Sequence, residues 1–355
     1  MDSDCLKLTG YFDERQRTGG RFLADELMGL YERDRVASSI LLRGVGGFGP
    51  RRILRTDRSL SLSEDPPVVL TAVDSRPRIE RLLESVRAID KRGLFTLERA
   101  HLLAAGDEPS GPAAQHPDAS KLTVYLGRKQ RVDGTSAHVA ICALMHRRGL
   151  AGASVFLGVD GTVRGQRQRA RFFGRNTAVP TMIVVVGDSA ALAATLPEVA
   201  RAVPDALLTV ERVQVCKRDG ATLAAPHALP GADERGLPLW QKLTVYTSAA
   251  ARHGGEPIHR ALARRLHRRP TARGATALRG IWGFHGDHRP HGDRLLALTR
   301  RVPVATIIID TPAGIAESFA VVDELTAVDG LVTSEMVPAL VTDGSYGGQI
   351  AGHRY

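Results

Sequence analysis

The apolar positions of this chain switch repeatedly between the two-residue period of a strand and the 3.6-residue period of a helix. Leu6–Phe12 reads as a strand, and Phe22, Leu23, Leu27, Leu30 and Tyr31 then fall on one helical stripe. Ser38–Arg43 returns to strand. After a long polar stretch, Val68–Val73 is an almost unbroken apolar run, the pattern of a strand covered on both faces. Ile79, Leu82, Leu83 and Val86 mark a second amphipathic helix, and Leu94–Glu98 a last strand. The same order recurs twice. First strands are predicted at 121–126 and 242–247, second strands at Ala153–Leu157 and Ala275–Arg279, and third strands at Met182–Val186 and Val304–Ile309. Last strands follow at Leu207–Val213 and Leu331–Val337, and second helices begin near Ala190 and Ala313.

Fixed landmarks turn this recurrence into a triplication. Lys-Leu-Thr occurs at Lys7-Leu8-Thr9, Lys121-Leu122-Thr123 and Lys242-Leu243-Thr244. In register after it come Gly20, Gly134 and Gly255, then Gly44, Gly158 and Gly280. A proline opens each third strand (Pro67, Pro180, Pro303), and Thr-x-Glu closes each unit at Glu98, Glu211 and Glu335. The units therefore span 5–102, 120–216 and 240–341, with linkers at 103–119 and 217–239 and a flexible tail at 342–355. The linkers are rich in Ala, Gly, Pro and charge. A βαββαβ order in units of this length is the split-βαβ, ferredoxin-like arrangement, so the fold class expected is α+β. One feature resists it. Gly44 to Pro67, Gly158 to Pro180 and Gly280 to Pro303 are long connections where a hairpin uses roughly two to five residues. Their equal length in all copies points to function.

These landmarks resemble the PII-like signalling proteins, and most closely the uncharacterised PII-like family called domain of unknown function 190. The likeness is carried by Gly19-Gly20 before the first helix, Arg43-Gly44-Val45-Gly46-Gly47-Phe48-Gly49, and Ser61-Leu62-Ser63-Glu64-Asp65-Pro66-Pro67 leading into the third strand. Arg279-Gly280-Ile281-Trp282-Gly283-Phe284 repeats it, and Gly158-Val159-Asp160-Gly161 keeps the glycines but has Leu157 in place of the Arg. The resemblance implies a homotrimeric architecture, here fused into a single-chain pseudo-trimer of three ferredoxin-like domains. It also implies small-molecule effectors, usually adenine nucleotides, in clefts between neighbours, and long T-loops that reach a partner. A physical argument runs beside it. A four-stranded sheet with helices on one face leaves the other bare, and three such faces packed about a common axis would cover one another.

Composition narrows the reading. The chain has 355 residues, and 48 Lys+Arg against 38 Asp+Glu give a net charge of +10. Hydrophobic residues at 43% exclude wholesale disorder, while aromatics at 5% leave cores of Val, Leu, Ile and Ala. No apolar run reaches the ~18 residues of a membrane span, the N-terminus lacks the pattern of a signal peptide, and Cys5, Cys142 and Cys216 form no disulfide framework. A cytoplasmic protein is expected.

Much of the positive charge sits in the long connections. Arg51, Arg52, Arg55 and Arg58 lie in the first, and Arg164, Arg167, Arg169, Arg171 and Arg175 in the second. Arg289, Arg294, Arg300 and Arg301 lie in the third. Arg58, Arg171 and Arg294 are in register, and a guanidinium in each copy suits a phosphate or carboxylate. Gly47, Gly161 and Gly283, following Gly44, Gly158 and Gly280, imply a turn or a close approach. Gly44-x-Gly46-x-x-Gly49 is followed by Pro50 rather than a helix, which excludes a Rossmann site. Glu98, Glu211 and Glu335 are expected to cap a backbone or pair with an arginine, with ligand contact as the alternative.

The candidate ligand-binding residues are thus Arg43, Gly44, Gly47, Arg58, Gly158, Gly161, Arg171, Arg279, Gly280, Gly283 and Arg294. No nucleophile–base set, P-loop or paired carboxylates are recognisable, and the phosphate loop of PII proteins is absent. The expectation is a non-enzymatic regulator that binds a small anionic effector, a nucleotide among the candidates, and contacts a membrane channel or transporter. Two alternatives stay open: a nucleic-acid-binding protein using the basic connections, although base-stacking aromatics are missing from the third strands, and a metal-binding protein using His285, His288 and His291.

Overall fold

The computed structural model describes residues 4–57, 65–89, 93–103, 119–170, 179–232, 236, 238–286, 290–292, 301–337, 339–342 and 345–348. In the first copy β1 (Asp4–Asp13) is followed by α1 (Leu23–Arg33), β2 (Ser38–Phe48), β3 (Pro67–Ser75), α2 (Arg76–Ile89) and β4 (Leu94–Leu103). All pairings are antiparallel: β1 lies between β3 and β4, and β2 flanks β3. The helices cover one face, where Leu6, Leu8 and Phe12 of β1 pack with Leu27, Tyr31, Ile79 and Leu83.

The second copy repeats this with β5 (Ala119–Gly127), α3 (Ala137–Arg147), β6 (Gly152–Leu157), β7 (Asp160–Val163), β8 (Pro180–Asp188), α4 (Ser189–Ala202) and β9 (Leu207–Arg218). The third has β10 (Trp240–Ser248), α5 (Ile258–His267), β11 (Ala275–Arg279), β12 (Trp282–His285), β13 (Pro303–Asp310), α6 (Pro312–Leu325) and β14 (Leu331–Val337). A terminal hairpin of β15 (Ala339–Thr342) and β16 (Ser345–Gly348) follows. Asp188 accepts a hydrogen bond from the Ala191 N–H and Thr311 one from the Gly314 N–H, so both helices start where a capping side chain stands.

The copies are not three separate sheets in contact. They are hydrogen-bonded edge to edge into one 20-stranded sheet that closes on itself. The last strand of each copy runs past its own sheet and adds to the last strand of the next: His101–Leu103 of β4 pair with Leu208–Val210 of β9, and Gln214–Arg218 of β9 pair with Leu331–Ser334 of β14. β15 completes the circle on Phe95–Leu97 of β4. A second set of seams joins β7 to β2, β12 to β6, and β11 to the Gly44–Phe48 end of β2.

These seams correct the reading of the long connections. They open as strands, not loops: Gly44–Phe48, Asp160–Val163 and Trp282–His285 are consumed in pairing with a neighbouring copy. The seams also explain the recurrent glycines. A Cβ on Gly47 would lie 2.2 Å from the Ala275 carbonyl oxygen, one on Gly161 2.1 Å from that of Ser39, and one on Gly283 2.2 Å from that of Ala153. A Cβ on Gly44 would lie 2.8 Å from Pro67 of its own copy, one on Gly158 2.7 Å from the Ile40 side chain, and one on Gly280 2.8 Å from the Val155 carbonyl oxygen. For Gly47, Gly161 and Gly283 the close approach is that of the neighbour's backbone. The segment read as a linker also differs: β9 continues to Arg218, and Lys217 is buried with its ammonium on Asp323 of α6 at 2.6 Å. Ser345–Gly348, read as flexible tail, form the outer strand of the terminal hairpin.

Apolar residues on the strand faces turned away from the helices also meet one another. Ile40 and Leu42, Phe156 and Val184, and Leu278 and Ala305 join one apolar cluster drawn from all three copies. Two of the helical cores are also completed by a neighbour, since Phe48 packs into the third copy's core and Phe284 into the second's.

Candidate functional site

On the inward faces of the first strands, Lys7, Lys121 and Lys242 meet Glu98, Glu211 and Glu335 of the last strands. Strand alternation puts both residues on the face away from the helices, and β1–β4 pairing sets Lys7 directly opposite Glu98. All six are buried. Lys7 contacts Glu98 at 2.8 Å and also Glu211; Lys121 contacts Glu211 at 3.0 Å and also Glu335. Lys242 closes the ring on Glu98 at 2.5 Å and Glu335 at 3.2 Å. Every Oε2 lies within ion-pair distance of two ammoniums, in an alternating six-membered circuit. Burial alone would lower the Lys7 ammonium, but Glu211 and Glu98 outweigh it and hold its pKa well above the usual value. Burial would raise the Glu98 carboxyl, but Lys242, Lys7 and Lys121 keep it well below. The ring's carboxylates come within 4.8 Å of one another, a spacing that suits a cation, and the three ammoniums supply that cation. Pairing with lysine therefore replaces the expected pairing with arginine.

A cleft of about 390 Å³ opens between the first and third copies. Tyr11, Phe48, Leu94 and Trp240 form an aromatic and aliphatic interior, with Ile307 and Ile309 behind them. Arginines line it as well: Arg51, Arg52, Arg55 and Arg273. Arg52 is held by the carbonyls of Ala272 (2.7 Å) and His267, and Arg273 lies over the Trp240 ring at 4.7 Å. Arg55 faces Asp13 at 3.6 Å and Asp65 at 3.4 Å. Burial raises the Asp13 carboxyl. Four guanidiniums against one lining carboxylate make the cleft basic. Its volume lies within the range of small-molecule pockets, roughly 300–1,000 Å³.

Beyond the cleft, loop and helix charges key the copies together. Asp57 of the first connection is clamped by Arg260 of α5, by Arg279 of β11 at 2.6 Å, and by His259 at 3.7 Å. At the next seam the signs are reversed. Arg169 of the second connection meets Asp25 of α1 at 3.1 Å, and Arg167 pairs with Asp160 at 2.6 Å while facing Asp25 and Glu32. Asp25 and Arg260 are both the third residue of their helices. The same position carries opposite charge according to the loop it receives.

The candidate residues from the sequence are dispersed. Gly47 lines the cleft, whereas Arg43 reaches out to Glu14 at 2.8 Å and Arg279 is spent on Asp57. Gly44, Gly158, Gly161, Gly280 and Gly283 serve the seams. Arg58, Arg171, Arg294 and His288 lie outside the described residues. His285 faces Asp329 at 3.5 Å and His291 contacts the Arg301 carbonyl at 2.5 Å. Among the described residues these histidines belong to no group of three metal-ligand side chains. Trp240, Arg273 and Tyr11 were missed, because nothing along the chain places residues so far apart around one cavity. Among the described residues no helix is long and apolar enough to cross a membrane.

A family model described as "Uncharacterized ACR", the DUF190 family, matches the chain three times, at residues 5–102, 119–215 and 240–339.

Proposed function

The chain belongs to the DUF190 family, and from that premise we propose that it is a non-enzymatic, PII-like regulator that binds a small anionic effector between its copies. In this reading the three units are ferredoxin-like domains fused as a pseudo-trimer. The ends of the long connections engage a partner, a membrane channel or transporter in keeping with the resemblance to PII-like proteins. The observation that carries the reading is the cleft between the first and third copies: a deep apolar interior edged by Arg51, Arg55 and Arg273. Such a site accepts a ligand with a flat or apolar body and an anionic end, the body resting on Trp240 and Phe48 and the charge on the guanidiniums.

Arg51 is the probe of choice, being exposed at the cleft. Thermal-shift screening of the full chain against adenine nucleotides, cyclic nucleotides, bicarbonate and phosphate tests the proposal. A ligand that stabilises the wild type and loses at least tenfold in affinity with Arg51→Ala supports it. No stabilisation by any of them overturns it.

A further inference from the structure

The Lys–Glu ring forms one wall of a second, smaller cavity on the axis of the molecule, about 80 Å³ in volume. Lys7, Lys121 and Lys242 all line it, and so do Thr9, Thr123 and Thr244, two residues further along the same strands. Along the chain these residues stand out only as repeat landmarks, and they do not line the effector cleft.

Hydrogen-bond bookkeeping leaves this cavity unsatisfied. An ammonium has three N–H donors, and each of the three lysines contacts two carboxylate oxygens. One N–H on each lysine is left over. The carboxylates do not take it up: every Oε2 already faces two ammoniums, the Oε1 of Glu98 takes the Thr96 hydroxyl at 3.0 Å, and those of Glu211 and Glu335, though buried without a partner, are hydrogen-bonded to none of the ammoniums. The hydroxyls of Thr123 and Thr244 have no hydrogen bond among the described residues, and that of Thr9 has only a long contact to Thr71 at 3.4 Å. Three charged donors and three hydroxyls thus surround one space, and buried donors require an acceptor.

We propose that this axial cavity binds one small monovalent inorganic anion of halide size, held by the ammoniums of Lys7, Lys121 and Lys242 and the hydroxyls of Thr9, Thr123 and Thr244. The volume admits a small ion with a companion water, since a water occupies roughly 30 Å³ of liquid, and it is far too small for an organic effector. A metal cation is disfavoured because ammoniums already occupy the space among the carboxylates. The net charge of +10 on the chain favours an anion further. This site adjoins the effector cleft, with Tyr11 and Ile307 common to both, but uses other polar groups and stands whether or not that cleft binds a ligand.

Bromide is the probe. The full chain is purified and crystallised with bromide as the sole halide, and anomalous scattering is recorded at the bromine edge and at a long wavelength where chlorine scatters. The expected result is one peak on the axis, within hydrogen-bonding reach of the three Nζ atoms, from bromide or from retained chloride. Thr123→Val/Thr244→Val preserves side-chain shape and should lose most of the peak with the melting temperature little changed. A wild-type cavity holding only water overturns the proposal, and an undiminished peak in the double variant overturns the role of the hydroxyls.

Discussion

Asp57→Asn removes one charge from the clamp that joins the first connection to the third copy. Burial by itself would raise this carboxyl, but the hydrogen bonds from Arg260 and Arg279 outweigh it, lowering the pKa from 3.8 to about 2; the adjacent His259, itself lowered to about 4 by burial, adds its charge only in acid. The side chain is 7% exposed, so solvent screens these contacts little. At ~1.36 kcal/mol per pKa unit, the shift corresponds to about 2 kcal/mol of stability at neutral pH. Because the folded-state pKa is depressed, that contribution is complete above the unfolded value and fades as pH falls through the folded one. The stability difference between wild type and Asp57→Asn is therefore expected to be about 2 kcal/mol at pH 7, nearly the same at pH 4 and about 1 kcal/mol at pH 3. Urea unfolding of both proteins across this range, with midpoints compared at constant slope, measures it. A double-mutant cycle with Arg260→Gln should give a coupling of at least ~0.5 kcal/mol. A difference that is small and independent of pH would refute the reasoning, for the carboxylate would then be no better placed than in the unfolded chain.

Lys121→Met leaves three buried carboxylates facing two ammoniums and is expected to cost about 3–5 kcal/mol, read from the urea midpoint. A cost below ~1 kcal/mol would mean that the ring is hydrated rather than closed. Gly47→Ala places a Cβ 2.2 Å from the Ala275 carbonyl at a φ of +145°, whereas Gly19→Ala meets open space at +53°. Thermal melts should find the first worse by about 1–3 kcal/mol, and equal effects would refute the seam's role. Light scattering should give a particle of one 38.2 kDa chain, since the described strand ends pair within the molecule. A three-chain particle would contradict the closed ring.

The repeat period and the element order are legible along the chain because both depend on local properties. Side chains alternate across a strand and recur every 3.6 residues on a helix, so Leu6, Leu8 and Phe12 declare a buried face before any partner is known. The triplication is equally local, requiring only that Lys-Leu-Thr, the glycines and Thr-x-Glu keep step. Even the need for a common core follows, because apolar third strands cannot be covered by two helices alone. What the pattern could not disclose is what the repeated polar residues meet. Lys7 and Glu98 were both visible as landmarks, but pairing Lys7 with Glu211 and Lys121 with Glu335 depends on which copy stands beside which. The glycines pointed to a close approach whose object, a carbonyl of the next copy, is more than a hundred residues away for Gly47.

By itself, then, the sequence determines one βαββαβ unit written three times and basic along its long connections. Tertiary structure decides that those connections begin as strands, that the copies close into one sheet, and that Trp240, Arg273 and Tyr11 border a single cleft. The physical reason is the range of the interactions. Periodicity and propensity act over a few residues, whereas seams, clefts and the ion-pair ring arise only when strands from different copies pair. That pairing is set by packing and charge complementarity across the whole molecule.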